Sequence, residues 1–310
     1  MLEKEGDFAA KNSKPSLLGE WQMSNTYPGQ QCRNCNDTKI QVVARGQFAY
    51  AEHCPRCFAS CQACGGEGYI FESDSEGREQ AIPCHCRELD RRITLFNNAQ
   101  IPGQFFDATF DNFDVSGDPS LEEALRTASF FFRNYKNGNR KGLLFMGGVG
   151  VGKTRLVSTI LRDFTLNHGI PGIFREFSSL LSEIKTGYDK GLSESGLLER
   201  INSAEILVID ELGKGRKSEW EITILDSIIS SRYNMRKATI FTTNYTDKKQ
   251  TTFVEPMIVK SDKDGAREQE KRETLEQRVY SRIYSRLKGM CDFIEMKGPD
   301  HRHPGSEFSV

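Results

Sequence analysis

The chain has 310 residues, enough for about two domains of the usual ~100–200 residues, and its 42 lysines and arginines are balanced by 43 aspartates and glutamates. This balance excludes a global positive field, so any contact with nucleic acid must be local. The sequence has no apolar run of the ~18 residues that a membrane span needs, and residues 1–19 carry acids and lack the apolar core of a signal peptide, so we expect a cytoplasmic protein with no membrane contact.

Eight of the nine cysteines lie in four short pairs within residues 32–86. The close spacing within a pair lets both thiolates face one ion, and a second pair completes the tetrahedral shell of Zn²⁺. Disulfides are rare in a reducing cytosol, so the eight thiolates predict two zinc sites. The predicted zinc ligands are Cys32, Cys35, Cys54, Cys57, Cys61, Cys64, Cys84 and Cys86.

The simplest pairing of these cysteines is sequential. The first four then surround a small hairpin with strands at 39–43 and 48–50, and the last four form the second site. An interleaved pairing is also open, because the second and third pairs are close in sequence. Saturated four-cysteine sites leave no open coordination position, which favours a structural metal. The alternative is a set of redox-active or iron–sulfur thiols.

Three regions are predicted along the chain: a zinc-binding, partner-binding domain at 1–92, a connector at 93–118 and a larger domain at 119–310. The connector holds a Pro-Gly turn at 102–103 and an aromatic cluster at 105–113. The larger domain begins with a helix predicted at 120–135, for which Asp118 or Ser120 is the N-cap.

Residues 147–154 match the phosphate-binding pattern G-x-x-x-x-G-K-[ST] at every fixed position. A buried strand is predicted before them at 143–146, and helical spacing follows at 155–161. The glycines let successive backbone N–H groups face a phosphate at the positive end of the following helix. The pattern therefore predicts a P-loop that binds ATP. Lys153 would reach the β- and γ-phosphates, and the Thr154 hydroxyl would hold Mg²⁺.

The second half of an ATP site is predicted further along the chain. A strand at 171–177, a helix at 178–188 and a loop or broken helix at 189–200 precede an apolar run at 206–209 that ends in Asp210 and Glu211. This is the pattern of a Walker B strand. Asp210 would hold the Mg²⁺ shell, and Glu211 would polarise the water that attacks the γ-phosphate. The predicted nucleotide-binding residues are Gly147, Gly148, Val149, Gly150, Val151, Gly152, Lys153, Thr154, Arg155 and Asp210.

A fourth strand is predicted at 238–243 and ends at Asn244. In a fold whose site lies at the carboxyl ends of parallel strands, this amide could orient the attacking water or sense the γ-phosphate. The preceding helix, at 218–233, carries apolar residues at helical spacing, which predicts a core position. A last strand is predicted at 292–296.

Arg278, Arg282 and Arg286 recur every four residues beside an apolar stripe, in a helix that follows a charged run at 268–278. No carboxylate stands three or four positions from any of them, so they have no partner within the helix. One interpretation is that an anion comes from outside, such as ATP bound to a neighbouring subunit. The other is a salt bridge to another element of the same chain.

The motifs GGVGVGKT, ILVIDELG, TIFTTN, YSRIYSRL and GPDHR, in this order, resemble those of the AAA+ ATPases of the DnaC/DnaI helicase-loader and IstB transposase-helper group. The resemblance covers residues 101–302, and the connector IPGQFFDATFDNF supports it. It implies an α/β fold of the P-loop NTPase type, with a five-stranded parallel sheet between helices. The Asn244 strand would lie between the two Walker strands, and no carboxyl-terminal lid would follow. The small cysteine-rich zinc domain precedes this fold.

The resemblance also implies roles for single residues. Asn244 would be sensor 1, Arg286 the arginine finger acting on the ATP of a neighbouring subunit with Arg282 beside it, and Arg302 the sensor 2 arginine. Together with Glu211, the residues Asn244, Arg286 and Arg302 would form the catalytic set. Catalysis would then depend on self-association through the ATP site.

Three hypotheses about function follow from the resemblance. The first is an ATP-hydrolysing helicase loader in the initiation or restart of DNA replication, whose amino-terminal region grips the hexameric replicative helicase and whose ATPase region binds single-stranded DNA. Lys185, Tyr188 and Arg232 are then candidates for contact with DNA. The second is a transposase helper, which the zinc region disfavours. The third is a zinc adaptor that uses ATP as a switch.

Overall fold

The computed structural model describes residues 32–58, 60–115, 117–247 and 273–301. Its amino-terminal part contains two antiparallel hairpins, each inserted between two cysteine pairs. The first hairpin consists of β1 (Ile40–Arg45) and β2 (Phe48–His53), and the second of β3 (Tyr69–Ser73) and β4 (Glu79–Pro83). The small hairpin predicted between the first two pairs is thus confirmed.

A helix that the sequence reading did not identify, α1 (Cys86–Ala99), connects the cysteine region to the rest of the molecule. Its residues Phe96 and Ala99 join Ala51 of β2 in the main hydrophobic core. The Asn97 amide holds the same strand, because it accepts from the Ala51 N–H at 2.7 Å and donates to the Ala51 carbonyl at 3.0 Å. The domain boundary expected at residue 92 falls inside α1, and the division into domains stays a prediction.

The larger part of the chain alternates strands and helices. In chain order its elements are α2 (Pro119–Lys136), β5 (Gly142–Gly147), α3 (Lys153–Arg162), β6 (Gly172–Glu176), α4 (Phe177–Asp189), α5 (Glu194–Ser203), β7 (Ile206–Asp210), α6 (Glu219–Asn234), β8 (Thr239–Thr243), α7 (Leu275–Met290) and β9 (Cys291–Met296). A π-helical turn, Asp163–Asn167, extends α3.

Five of these strands form one parallel sheet in the order β6-β7-β8-β5-β9. The predicted α/β fold and the place of β8 between the two Walker strands are confirmed. The carboxyl ends of all five strands lie at one edge of the sheet, which is where such folds bind their ligands. The functional residues at the ends of β5, β7 and β8 are therefore neighbours.

Alternating side chains of the central strands supply two cores, one on each face of the sheet. Leu143 and Phe145 of β5 pack with α1, α2 and α3, whereas Leu144 and Met146 pack with α4, α5, α6 and α7. Burying one such side chain contributes roughly 1.5–3 kcal/mol. Strand β5 must also approach β8 closely at Gly142, where a Cβ atom would lie 1.9 Å from the Thr239 carbonyl oxygen.

Local signals set the helix starts as expected, with two adjustments. The Asp118 carboxylate accepts from the Ser120 and Leu121 N–H groups and caps α2. Helix α4 begins at Phe177, so the strand before it is shorter than predicted. The stretch expected to be a loop or broken helix contains α5, which Ser193 caps. Within the described residues, no helix is long and apolar enough to cross a membrane.

Candidate nucleotide-binding site and cysteine clusters

The predicted P-loop connects β5 to α3 at the ligand-binding edge of the sheet. Gly150 and Gly152 have φ angles of 80° and 96°, a region of backbone conformation that glycine adopts without steric cost. Gly152 is the N-cap of α3, and its carbonyl accepts from the Leu156 N–H at 2.9 Å. The N–H groups of the first turn have no helical partner and are available to a ligand in the loop. Lys153 is buried, and its ammonium group donates to the Gly147 carbonyl at 2.9 Å and to the Gly148 carbonyl. The lysine is therefore directed into the loop.

Asp210, the last residue of β7, lies beside the P-loop threonine. The Thr154 hydroxyl donates to the Asp210 carboxylate at 3.1 Å, and the Thr242 hydroxyl of β8 donates to it at 2.5 Å. Burial raises the pKa of Asp210, and the two hydroxyl donors work against this shift. Hydroxyl and carboxylate oxygens side by side are the ligands that Mg²⁺ prefers. The donor set thus fits the predicted magnesium site.

Glu211 is the first residue beyond β7 and has a left-handed backbone, with a φ of 57°. Such a conformation is uncommon for a residue other than glycine and is frequent at functional sites. The Glu211 N–H donates to the Thr242 hydroxyl at 2.9 Å. Its carboxylate pairs with Lys214, which also contacts Glu176 at the end of β6 at 3.2 Å. Thr242 thus connects Asp210 and Glu211.

The sequence reading missed the contributions of Thr242 and Lys214. The expected place of β8 between the two Walker strands was a signal for Thr242, which lies near the carboxyl end of that strand. Lys214 directly follows the ILVIDELG motif, which assigns no role to it. Asn244 lies one residue beyond β8 and is exposed at the same edge of the sheet. Its role stays a prediction.

The three arginines of α7 have partners within the chain. Arg286 pairs with the Asp226 carboxylate of α6 at 2.9 Å, and Arg282 pairs with the same carboxylate at 3.1 Å. Binding of an external anion by these two residues stays a prediction. The salt bridge to another element, left open above, is what the structure contains. The finger role of Arg286 stays a prediction that rests on the resemblance.

The segment after β9 lies against the P-loop. The His301 N–H donates to the Gly150 carbonyl at 3.2 Å, and a Cβ atom on Gly150 would lie 1.8 Å from an Asp300 carboxylate oxygen. Arg302 follows directly in sequence but lies outside the described residues. Arg155 points to the connector, where its guanidinium pairs with Asp107 at 3.2 Å. A nucleotide contact by Arg155 also stays a prediction.

The eight amino-terminal cysteines form two groups, and the sulfur atoms within each group lie within 4.8 Å of one another. The sequential arrangement is confirmed and the interleaved one is excluded. The shortest Sγ–Sγ distances are 3.3 Å between Cys35 and Cys57 and 3.5 Å between Cys64 and Cys86. Four sulfurs at ~2.3 Å from one Zn²⁺ would be about 3.8 Å apart. The geometry thus suits one tetrahedral ion in each group. The first group contains Cys32, Cys35, Cys54 and Cys57, and the second contains Cys61, Cys64, Cys84 and Cys86.

The surroundings of Cys54 favour a thiolate, which is the form that binds a metal. Burial alone would raise its pKa, but hydrogen bonds from the Asn34 side chain and the Arg56 N–H lower the pKa of Cys54 to about 6. The described histidines next to the clusters are not in either group. Of these, His53 contacts Asp90 at 2.6 Å.

One of the three candidate DNA contacts is wrong. Arg232 is fully buried, and its guanidinium donates to backbone carbonyls at the end of α5 and at the start of β8. The other two lie together on the surface beside Trp220. The Lys185 ammonium is 4.7 Å from the Trp220 ring, and the Tyr188 ring is 6.4 Å from it. Contact of Lys185 and Tyr188 with DNA stays a prediction.

Comparisons with known proteins agree with this geometry. The sequence model of the family described as IstB-like ATP binding proteins matches residues 84–260, more than half of the chain. The replicative helicase loader DnaC of Escherichia coli K12 is 27% identical over 182 residues, which cover 58% of this chain and 73% of that protein. The replicative helicase loader DnaI of Bacillus subtilis 168 is 24% identical over 229 residues, with coverage of 70% and 67%.

A structural comparison gives the same group. A crystal structure of the DnaC helicase loader superposes with a TM-score of 0.50 at 28% identity, covering 63% of this chain and 99% of the solved one.

Proposed function

Because the chain belongs to the family of IstB-like ATP-binding proteins, we propose that it is a helicase-loader ATPase, which hydrolyses ATP and acts with a replicative helicase on single-stranded DNA. The observation that carries the catalytic part is the contact of Thr154 with Asp210. It brings the P-loop and the Walker B carboxylate together although 56 residues separate them in the chain. The loader part is supported by the names of the DnaC and DnaI relatives.

In the proposed binding step, the N–H groups of residues 148–154 surround the phosphates at the start of α3. Lys153 leaves the Gly147 and Gly148 carbonyls and pairs with the β- and γ-phosphate oxygens. Thr154 and Asp210 hold Mg²⁺. The bound ion would neutralise charge on the phosphates.

Glu211 is the proposed base that orients and polarises the attacking water. Its backbone is fixed by the bond to Thr242, and its carboxylate is held by Lys214. Asn244 at the neighbouring strand end would hold the same water or the γ-phosphate. Arg302 of the same chain and Arg286 of an adjacent subunit would stabilise the charge that develops on the γ-phosphate. Self-association through the ATP site is therefore part of the proposal.

The two cysteine groups are proposed to hold structural Zn²⁺ and to shape the region at 1–92 for a protein partner. Two sets of four thiolates fit Zn²⁺ and leave no ligand position for substrate. The exposed Lys185 beside Trp220 supports contact of the ATPase region with single-stranded DNA, because aromatic rings and cations are the groups that bind such strands.

Two substitutions test the catalytic assignment. Lys153→Ala should weaken ATP binding, whereas Glu211→Gln should bind Mg²⁺-ATP as the wild type does and lose turnover by about 10²–10³-fold. Binding is measured with a fluorescent ATP analogue, and turnover by phosphate release with and without single-stranded DNA. Glu123→Gln is the matched control, because Glu123 is an exposed carboxylate on α2 that pairs only with its own helix. Wild-type turnover in Glu211→Gln would refute the assignment.

A transposase helper is the second candidate, because the matching family model carries the IstB name. The two candidates differ in the partner. Full-length protein should retain a purified replicative helicase in a pull-down and not a transposase. Retention of the transposase alone would reverse the choice. If neither ATP turnover nor a helicase complex is found, the third hypothesis, a zinc adaptor that uses ATP as a switch, is favoured.

A further inference from the structure

Residues 211–217, which we call the β7 loop, connect the Walker B strand to α6. The loop contains Glu211 and Lys214, whose side chains form an ion pair. Side chains of α7 and of the residue before its cap contact this loop. Arg278 donates through Nε to the Gly213 carbonyl at 2.6 Å and through Nη2 to the Gly215 carbonyl, and Lys217 pairs with Glu273 at 2.6 Å.

The Arg278 guanidinium is enclosed by its contacts. Only 14% of the side chain is exposed, Glu273 lies 3.5 Å from it, and the Tyr245 ring is 5.4 Å away. Gly213 has a φ of 86°, and a Cβ atom there would lie 2.9 Å from the Arg278 side chain. The arginine guanidinium is a planar group whose N–H donors can bind two carbonyls at once. A lysine ammonium is instead a point charge on a flexible side chain. The site is therefore specific for arginine.

Arg278 binds backbone carbonyls, whereas the two arginines that follow it on α7 bind a carboxylate. Arg282 and Arg286 both pair with the Asp226 carboxylate on α6. The start of α7 is also fixed to the end of β8, because the Leu275 N–H donates to the Thr246 carbonyl at 2.8 Å. Helix α7 thus contacts the segments that follow both β7 and β8. Its other end carries the arginine proposed to act on a neighbouring subunit.

We propose that Arg278 is a positioning residue for ATP hydrolysis, which fixes the β7 loop so that Glu211 is correctly placed and which couples Glu211 to helix α7. The inference rests on the proposed function. Arg278 makes no contact with substrate. It acts through the backbone of Gly213 and Gly215, and Lys214 between these glycines transmits the position of the loop to the Glu211 carboxylate. A shift of α7 on contact with a neighbour would move Glu211 in its own subunit.

Arg278→Ala and Arg278→Lys test this role. Turnover in Arg278→Ala should fall by about 10- to 100-fold, the cost of misplacing a catalytic group by about 1 Å. The Kd for Mg²⁺-ATP should stay within about twofold, because Lys153, Thr154 and Asp210 are unchanged. Added guanidinium ion should restore part of the turnover to Arg278→Ala, and Arg278→Lys should stay impaired. Arg126→Ala is the control, because Arg126 is an exposed arginine on α2.

Two results would overturn the inference. One is unchanged turnover in Arg278→Ala. The other is a parallel loss of turnover, ATP affinity and melting temperature without rescue by guanidinium, which would indicate a purely structural arginine.

A second measurement separates this inference from the proposed function. Amide hydrogen exchange in the nucleotide-free protein should be faster at 211–217 in Arg278→Ala than in the wild type, with no change at the start of α3. If the wild type has no ATP turnover, the proposed function fails and the catalytic role of Arg278 fails with it. The exchange data then decide separately whether Arg278 fixes the loop. Unchanged exchange at 211–217 would refute the claim that Arg278 fixes the β7 loop.

Discussion

Arg232 shows how a buried charge can hold two elements together. Its guanidinium donates to the carbonyls of Ile201, Ala204 and Ala238, and to the Thr239 hydroxyl at 2.8 Å. Burial lowers the pKa of Arg232 to about 10, and the surrounding carbonyl dipoles stabilise the cation in place of water. The residue therefore joins the end of α5 to the start of β8.

We predict that Arg232→Lys destabilises the protein although the charge is kept. An ammonium cannot reach all of these acceptors, so buried carbonyls lose their partners, and each costs roughly 1–3 kcal/mol. The total loss should be about 2–4 kcal/mol, measured as the shift of the urea midpoint. Arg236→Lys is the matched control, because Arg236 is exposed four residues further on. Equal midpoints for the two variants would contradict this role.

The positions of site residues were predictable from sequence where a motif fixes both spacing and chemistry. Lys153, Thr154 and Asp210 fall in this class, and the structure brings their strands to one edge. The Arg286 contact with Asp226 was not predictable, because it joins two helices that are 60 residues apart in the chain. The same holds for Arg278, whose acceptors are backbone carbonyls and leave no trace in the side-chain pattern.

At the scale of single elements, helix α1 joins the cysteine region to the domain that contains the P-loop. Its first residue, Cys86, belongs to the second cysteine group. About one and a half helical turns further on, Arg91 donates to the Gly169 carbonyl at 2.9 Å and Arg92 to the Leu166 carbonyl at 3.3 Å, both beyond the far end of the P-loop helix. Leu89, Ile93 and Phe96 had helical spacing in the sequence. However, the cysteines before this stretch and the Pro-Gly turn after it are typical of a connector, so no helix was predicted there.

We predict that removing metal unfolds the second cysteine group with its hairpin and loosens the start of α1. The second cysteine group has only a small apolar cluster of its own, so metal binding supplies much of its folding free energy. Ala49 and Ala51 of the first hairpin lie instead in the main core. Phe96 and Ala99 stay in the main core and should keep the end of α1 in place. Hydrogen exchange with and without a chelator should show lost protection at 61–88 and little change in β5.

Re-addition of Zn²⁺ to the treated protein is the control, and it should restore the protection. Full protection of residues 61–88 after removal of all metal would contradict a structural metal role. An equal loss of protection in β5 would show instead that the metal supports the whole molecule.

At the scale of the whole molecule, the sequence predicted the sheet but not the elements that pack against it from the amino-terminal region. Apolar runs predicted the positions of the strands, and the resemblance to the AAA+ ATPases implied that they are parallel. The way in which α1 and β2 join the ATPase core could not be read, because alanines such as Ala49 and Ala51 carry little pattern. Burial of these alanines reflects close packing of a hairpin on a helix.

In the proposed assembly of several molecules, Arg286 would act on the ATP of a neighbouring subunit. Its side chain is 32% exposed and its ion pair with Asp226 is close to solvent, so the pair contributes only about 0–1 kcal/mol. Exchange of Asp226 for a phosphate of a neighbouring subunit is therefore compatible with the fold. A head-to-tail interface, in which one surface supplies the ATP and the other supplies the arginine, is the arrangement that this exchange requires.

We predict that two inactive variants, Arg286→Ala and Glu211→Gln, regain turnover when mixed. A site of the first variant keeps Glu211, and a neighbour of the second kind keeps Arg286, so about a quarter of the interfaces in an equal random mixture are complete. Phosphate release is measured as a function of mixing ratio, after ATP binding by each variant is verified. A mixture of Glu211→Gln with Lys153→Ala is the control and should stay inactive, because each of its sites lacks a residue of its own chain. If Arg286→Ala is inactive and mixing with Glu211→Gln does not restore turnover, Arg286 acts only within its own subunit, through Asp226.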